Sequence, residues 1–160
     1  LTKLNEEVLR PYIASGGLKV MAYRMEGYYR RIETVKSYFN FNLDLLNYDV
    51  RKELFGTKPV YTKTRDDVPA IYREGAQVKN SLVADGCVIE GTVENCVLFR
   101  GVHIAPGAHV KNCIIMQDGY VQADAYIENC ILDKQAIIKR NARLIGPAAY
   151  PIVIAKNVVI

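Results

Sequence analysis

The chain has 160 residues, half of them apolar, with 21 Lys and Arg against 17 Asp and Glu and a net charge of +4. That is enough apolar material for one or two small domains, and a charge balance too mild to argue for nucleic acid or an anionic membrane surface as partner. No run of about 18 apolar residues is present to span a bilayer, and the opening LTKLNEEVLR mixes charges with apolar residues, unlike a secretory leader.

Residues 1–25 read as the tail of another domain, and a start at Leu1 rather than Met fits a piece of a longer chain. Asn5 to Ile13 has a helix-like apolar spacing, SGG at 15–17 ends it, and LKVMAYRM at 18–25 reads as a strand. Thr34 is placed to cap a helix through VKSYFNFNLDLLN, in which Val35, Tyr38, Phe39, Asn42, Leu43 and Leu46 recur at three- and four-residue steps. Residues 48–74, rich in Lys, Arg, Asp and Pro, read as an irregular linker across the surface. Aromatic residues gather early, at Tyr12, Tyr23, Tyr28, Tyr29, Tyr38, Phe39, Phe41, Tyr48 and Phe55, and most are expected to be core between the helix and the start of the repeats.

From about Gly75 a repeat takes over. The pairs Asn95-Cys96, Asn112-Cys113 and Asn129-Cys130 stand 17 residues apart, which makes EGTVENCVLFRGVHIAP, GAHVKNCIIMQDGYVQA and DAYIENCILDKQAIIKR three copies of one unit. A fourth copy begins at Asn141 and breaks at Pro147. Within the unit, aliphatic residues step by five, six and six: Val93, Leu98, Ile104, then Val110, Ile115, Val121, then Ile127, Leu132, Ile138, then Leu144. Neither a helix nor an isolated amphipathic strand gives that rhythm. A triangular prism does, sending one aliphatic side chain inward per face while Ala108, Ala125, Ala136 and Ala142 ease the corners. Asn and Gly at the corners tolerate left-handed backbone angles, and coils about 4.8 Å apart would turn equivalent Asn and Cys residues into ladders. The spacing predicts a mainly β chain, a parallel β-helix of four to five coils whose closing stretch, PIVIAKNVVI, adds a last coil or a subunit contact.

Cys87, Cys96, Cys113 and Cys130 lack the paired two-to-four-residue spacing of zinc ligands, so they are expected to be small buried thiols, and no metal site is expected. Reduced thiols fit a cytoplasmic protein. His103 and His109 lie in coils without an insertion; His109 shares its column with Thr92, Tyr126 and Arg143, which reads as outward, so both histidines are expected to be exposed rather than catalytic.

The hexapeptide rhythm resembles the left-handed β-helix proteins, and the left hand is what that resemblance implies. Many acyltransferases share this solenoid, so a hexapeptide-repeat acyltransferase is one reading of the repeat alone. The segment before it narrows the choice. MEGYYRRIETVKSYFNFNLDLLN at 25–47 resembles the end of the catalytic domain in glucose-1-phosphate adenylyltransferases: Gly27, Tyr28, Tyr29, Arg30 and Thr34 match, and Asn42, Asp44, Leu45 and Leu46 repeat a helix signature. The resemblance divides the chain into a short α/β remnant of a nucleotidyltransferase domain at 1–47, a linker at 48–74 and the left-handed β-helix at 75–160.

Two departures carry weight. Where the resembled catalytic enzymes have an aspartate that helps hold magnesium on the nucleotide phosphates, this chain has Arg31, and where they have glycine it has Glu33. A guanidinium there removes an oxygen donor and puts a cation where a cation should bind. Magnesium with ATP is thus expected only for catalytic members of the family, and no cofactor is expected here. No glycine-rich phosphate loop occurs in residues 1–160. The departures resemble the GlgD-type companion subunit, which implies a regulatory or structural role in glycogen biosynthesis, with oligomerisation and a catalytic subunit, or a second copy, as partner. A fragment of a catalytic subunit is the alternative. Lys134, Lys139, Arg140, Arg143 and Lys156 crowd the last coils. They read either as a solvated face or as an anion site for a phosphorylated small-molecule regulator, a role the resemblance implies most directly for Lys134.

Overall fold

The computed structural model describes residues 3–16, 19, 21–56, 60–62 and 66–160. From Ile71 onward the chain winds into a parallel β-solenoid with three flat faces. The first face stacks β1 (Ile71–Tyr72), β4 (Val88–Ile89), β7 (His103–Ile104), β10 (Tyr120–Val121) and β13 (Ile137–Ile138). The second stacks β2 (Gln77–Lys79), β5 (Thr92–Glu94), β8 (His109–Lys111), β11 (Tyr126–Glu128) and β14 (Arg143–Ile145). The third stacks β3 (Leu82–Val83), β6 (Val97–Leu98), β9 (Ile114–Ile115), β12 (Cys130–Leu132) and β15 (Ile152–Ile154). Every pairing is parallel, so equivalent residues of successive coils lie above one another.

The five-six-six rhythm is the inward set. Val93, Leu98, Ile104, Val110, Ile115, Val121, Ile127, Leu132 and Ile138 are all at most 2% exposed. Corners need a left-handed residue, and one of them takes it from Asn80, Asn95, Asn112 and Asn129, with φ between 43° and 54°. The second coil departs from the 17-residue unit. Its corner between β4 and β5 has only Glu90 and Gly91, where the next coil has Ala105 to Ala108. The fourth copy does break at Pro147: the chain leaves the prism after β14 and rejoins it as β15, which pairs with β12, and Val159 then bridges Ile137.

All four cysteines are free and buried. Cys96, Cys113 and Cys130 donate from sulfur to the carbonyls of Glu94, Lys111 and Glu128, at 3.0, 3.0 and 3.2 Å. Burial pushes the Cys113 thiol well above its ordinary value, and Cys87 is raised by burial too. A raised thiol favours the folded state while it stays protonated. Its contribution is complete below the unfolded thiol's value near 8.5 and is lost as pH climbs towards the folded value, by about 1.4 kcal/mol per pH unit. Urea melts at pH 8 and pH 10 are expected to show this loss, and a Cys113→Ala variant a shallower pH dependence.

Upstream, a π-helical stretch (Leu4–Leu9) runs into α1 (Arg10–Ser15), which stops at Gly16 with φ 64° and buries no residue. Helix α2 (Val35–Asp44) begins where the sequence predicts: Thr34 Oγ1 accepts the Ser37 N–H at 3.0 Å and Ser37 Oγ accepts the Thr34 N–H at 2.9 Å. Three expectations are corrected. The expected strand at 18–25 falls partly outside the described residues. Lys19 and residues 21–25 form no strand, because among the described residues no neighbouring strand is there to complete a ladder. The stretch expected to be irregular from 48 contains α3 (Tyr48–Phe55), started by Asn47 accepting the Asp49 N–H at 2.8 Å and ended at Gly56. Of the early aromatics, Tyr12, Tyr23, Tyr29, Tyr48 and Phe55 are exposed and only Phe39 is buried. Among the described residues a single helix covers the solenoid, so those rings stay at the surface, Tyr48 beneath the Arg51 guanidinium at 6.0 Å.

That covering contact is the main tertiary link. On the third face the residue before each inward one is apolar too: Leu82, Val97, Ile114, Ile131 and Val153 form an outward column. Phe39 of α2 lies on Ile114 and Ile131, with Tyr38, Leu43 and Met116 around them. Hydrophobic burial on both sides of one sheet thus joins the helix to the prism.

Candidate functional site

Residues 27–31 are tied down from two helices. Gly27 has φ 116°, and an added Cβ would meet the Glu53 carboxylate, which accepts the Tyr28 N–H from α3. Tyr28 donates its hydroxyl to Asp44 Oδ2 at 2.7 Å, and Arg30 Nε donates to the same oxygen at 3.0 Å while its guanidinium lies 5.4 Å from the Tyr28 ring centre. Partial burial, and then the bond to the Asp44 carboxylate, raise the Tyr28 hydroxyl. Arg30, Arg31, Ser37, Asn40 and Asp44 line a cleft of about 490 Å³ with Tyr29 and Phe41.

Arg31 lies at the edge of this cleft, 73% exposed, with its Nε 2.9 Å from Glu33 Oε1. These residues do not fit a magnesium ion. The position offers a guanidinium, its carboxylate neighbour is engaged by that guanidinium, and Asp44 is committed to Tyr28 and Arg30. Among the described residues, no three His, Cys, Asp or Glu side chains gather as a metal site.

The cations of the last coils occupy separate places. Lys134 and Lys156 stack at one corner, where the Asn157 N–H donates to the Lys134 carbonyl at 3.0 Å. Lys139 and Arg140 occupy the next corner, where Arg140 Nη2 lies 3.4 Å from Asp124 Oδ2. Arg143 sits on the second face, with its guanidinium 4.8 Å from the Tyr126 ring centre. The expected anion site is therefore two corner pairs and one engaged arginine, with no single cradle.

Both histidines lie on outward columns. His109 is exposed and stacks in register with Thr92, Tyr126 and Arg143. His103 is less open than expected: its Nε2 is 2.8 Å from Glu90 Oε2, and its ring stacks on Tyr120 at 4.7 Å. Beside the His109 column, Lys79, Glu94, Lys111 and Glu128 alternate in sign down the second face, and Lys79 Nζ is 3.8 Å from Glu94 Oε1. Alternating charges across a ladder stabilise stacking modestly.

Three faces of short parallel strands, αL residues at the corners and a buried aliphatic spine define a hexapeptide-repeat solenoid carrying an upstream helical segment. The family model described as "GlmU-like, C-terminal hexapeptide" matches residues 68–148, and the chain belongs to that family. The chain is 43% identical over 146 residues to the glycogen biosynthesis protein GlgD of Bacillus subtilis (strain 168), covering 91% of this chain and 43% of that protein. A GlgD of Geobacillus stearothermophilus is 51% identical over 70 residues, 43% of this chain and 20% of that protein. The glucose-1-phosphate adenylyltransferase of Halalkalibacterium halodurans is 39% identical over 103 residues, 62% of this chain and 26% of that enzyme. The chain thus spans less than half the length of these relatives. Among the described residues, no helix is long and apolar enough to cross a membrane.

Proposed function

We propose that this chain is part of a regulatory, non-catalytic subunit of glucose-1-phosphate adenylyltransferase in cytoplasmic glycogen biosynthesis. Residues 1–47 are the end of its nucleotidyltransferase-like domain, 48–74 the connection, now with α3 inside it, and 75–160 the solenoid. The observation that carries the reading is the Arg31–Glu33 ion pair at the place where the resembled catalytic enzymes hold magnesium. The relation to GlgD over 91% of the chain supports it. The role is indirect: pairing with a catalytic subunit or a second copy, and passing on the binding energy of a phosphorylated regulator.

The test is ADP-glucose formation by the full-length protein, alone and mixed with a catalytic subunit. The protein alone is expected to be inactive, and the mixture to differ from the catalytic subunit in its effector response. Family-typical activity from the protein alone would falsify the reading. The Lys134–Lys156 corner is the stronger of the two seats for the regulator, since among the described residues its ammonium groups have no carboxylate pairing, whereas Arg140 pairs with Asp124. Lys134→Glu with Lys156→Glu is expected to raise the effector concentration for half-response by about tenfold or more, through two lost charge-assisted bonds. An unchanged response would move the seat to Lys139 and Arg140.

A further inference from the structure

A shallow cavity of about 480 Å³, wide open to solvent, lies between the α2–α3 turn and the asparagine corner of the solenoid. Leu43 and Leu46 supply its apolar side, and Asn80, Asn95 and Asn112 its polar wall. A left-handed corner favours asparagine among the non-glycine residues, but it does not demand one in every coil. The other two corners meet the same need with a mixture, Gly86, Gly101, Asp118 and Gln135 on one, Gly75, Gly107, Asp124 and Asn141 on the other. Only the corner facing α2 uses asparagine in four consecutive coils.

Bonding along the ladder accounts for only part of the amides. Asn80 Nδ2 donates to Asn95 Oδ1 at 2.7 Å, and Asn129 Nδ2 donates to the carbonyl of Gly146, the equivalent position of the next coil, at 2.9 Å. Between them, among the described residues, the half-buried Asn112 amide has no protein partner and opens to solvent, and Asn95 keeps its donor. The cavity therefore presents donors and acceptors at the coil spacing of about 4.8 Å beside an aliphatic surface. No Lys or Arg lines it, and its one carboxylate, Asp44, is already engaged by Tyr28 and Arg30. Such a wall disfavours phosphate and suits a ligand that is neutral, gives and takes hydrogen bonds in equal measure, and has an apolar C–H face.

We infer that the cavity between Leu43, Leu46 and the Asn95–Asn112 ladder is a binding site for a neutral pyranose saccharide. The inference rests on the cavity alone, apart from the Arg31 reading and from the catalytic status of the protein. Glycine at a left-handed position keeps the turn and removes only the amide, so Asn95→Gly with Asn112→Gly is a clean test. Calorimetric titration of the 160-residue chain with maltotriose and with cellotriose is expected to show millimolar binding of at least one. The double variant, checked for an unchanged circular dichroism spectrum, is expected to bind about tenfold more weakly or worse. No binding of either saccharide at about 10 mM, equal binding by the variant, or tighter binding of inorganic phosphate at this cavity would overturn it.

Discussion

Gly91→Ala is expected to destabilise the solenoid by about 3 kcal/mol or more. The reason is the two-residue corner of the second coil. A Cβ on Gly91 would stand 2.8 Å from the Ala105 carbonyl oxygen and closer still to that of Ala108. Both are backbone atoms held by hydrogen bonds: the Ala108 carbonyl accepts the Thr92 N–H at 2.8 Å and the Ala105 carbonyl the Ala108 N–H at 3.2 Å, while Gly91 is itself held by its carbonyl accepting the Gln77 N–H of the preceding coil at 3.1 Å. Gly75→Ala is the control. Gly75 has φ 85° but nothing within 4 Å of an added Cβ, so only backbone strain of about 1 kcal/mol applies. Urea melts of the two variants should separate collision from strain. Since each coil touches only its neighbours, hydrogen exchange in Gly91→Ala should rise first in the coils on either side of this corner, with the last coils keeping their protection.

The contrast between these glycines also marks what was legible in the sequence. A rhythm repeated coil after coil announces itself, so the inward aliphatics, the buried cysteines and the outward His109 column were all readable from spacing. A single deviation has no repeat to announce it. The two-residue corner at Gly91 is visible only when the coils are counted against each other in register. Helix α3 was hidden for another reason: eight residues rich in charge show little apolar periodicity, although Asn47, Asp49 and Gly56 were start and stop signals in plain view. The docking of α2 had a signal as well. Only the third face carries an aliphatic pair in every coil, Leu82-Val83, Val97-Leu98, Ile114-Ile115, Ile131-Leu132 and Val153-Ile154, against isolated pairs such as Val88-Ile89 and Ile137-Ile138 on the first. A second apolar residue in strand after strand means a face covered on its outer side. The candidate sites were harder to read. Charge clustering in sequence suggested one anion site from Lys134 to Lys156, whereas a prism turns residues a few positions apart onto different corners. The cavity at the asparagine ladder needs the α2–α3 turn to close it, and that is a tertiary fact.

Phe39→Ala is expected to release α2 from the solenoid while leaving the solenoid folded. Phe39 is 5% exposed and fills the contact with Ile114 and Ile131 on the outward column, so its truncation should cost about 3 kcal/mol or more. A ten-residue helix is marginal in water without such packing. Amides of α2 are therefore expected to lose roughly a hundredfold in hydrogen-exchange protection, while those of β7 to β12 keep theirs, because the inward spine does not involve Phe39. Ile114→Ala should release the helix in the same way, and the double variant should cost less than the sum of the two, since one contact is being removed twice. The functional consequence follows from what α2 borders. Ile32, Val35 and Tyr38 share a cleft of about 400 Å³ with Asp133 and Val153, beside the Lys134–Lys156 corner, and at its other end α2 holds Tyr28 and Arg30 through Asp44. If a regulator at that corner acts through α2, Phe39→Ala in the full-length protein should leave effector binding intact and abolish its effect on the partner's ADP-glucose formation. Loss of binding and effect together would place the coupling elsewhere. A retained effect with a detached helix would remove α2 from the path altogether.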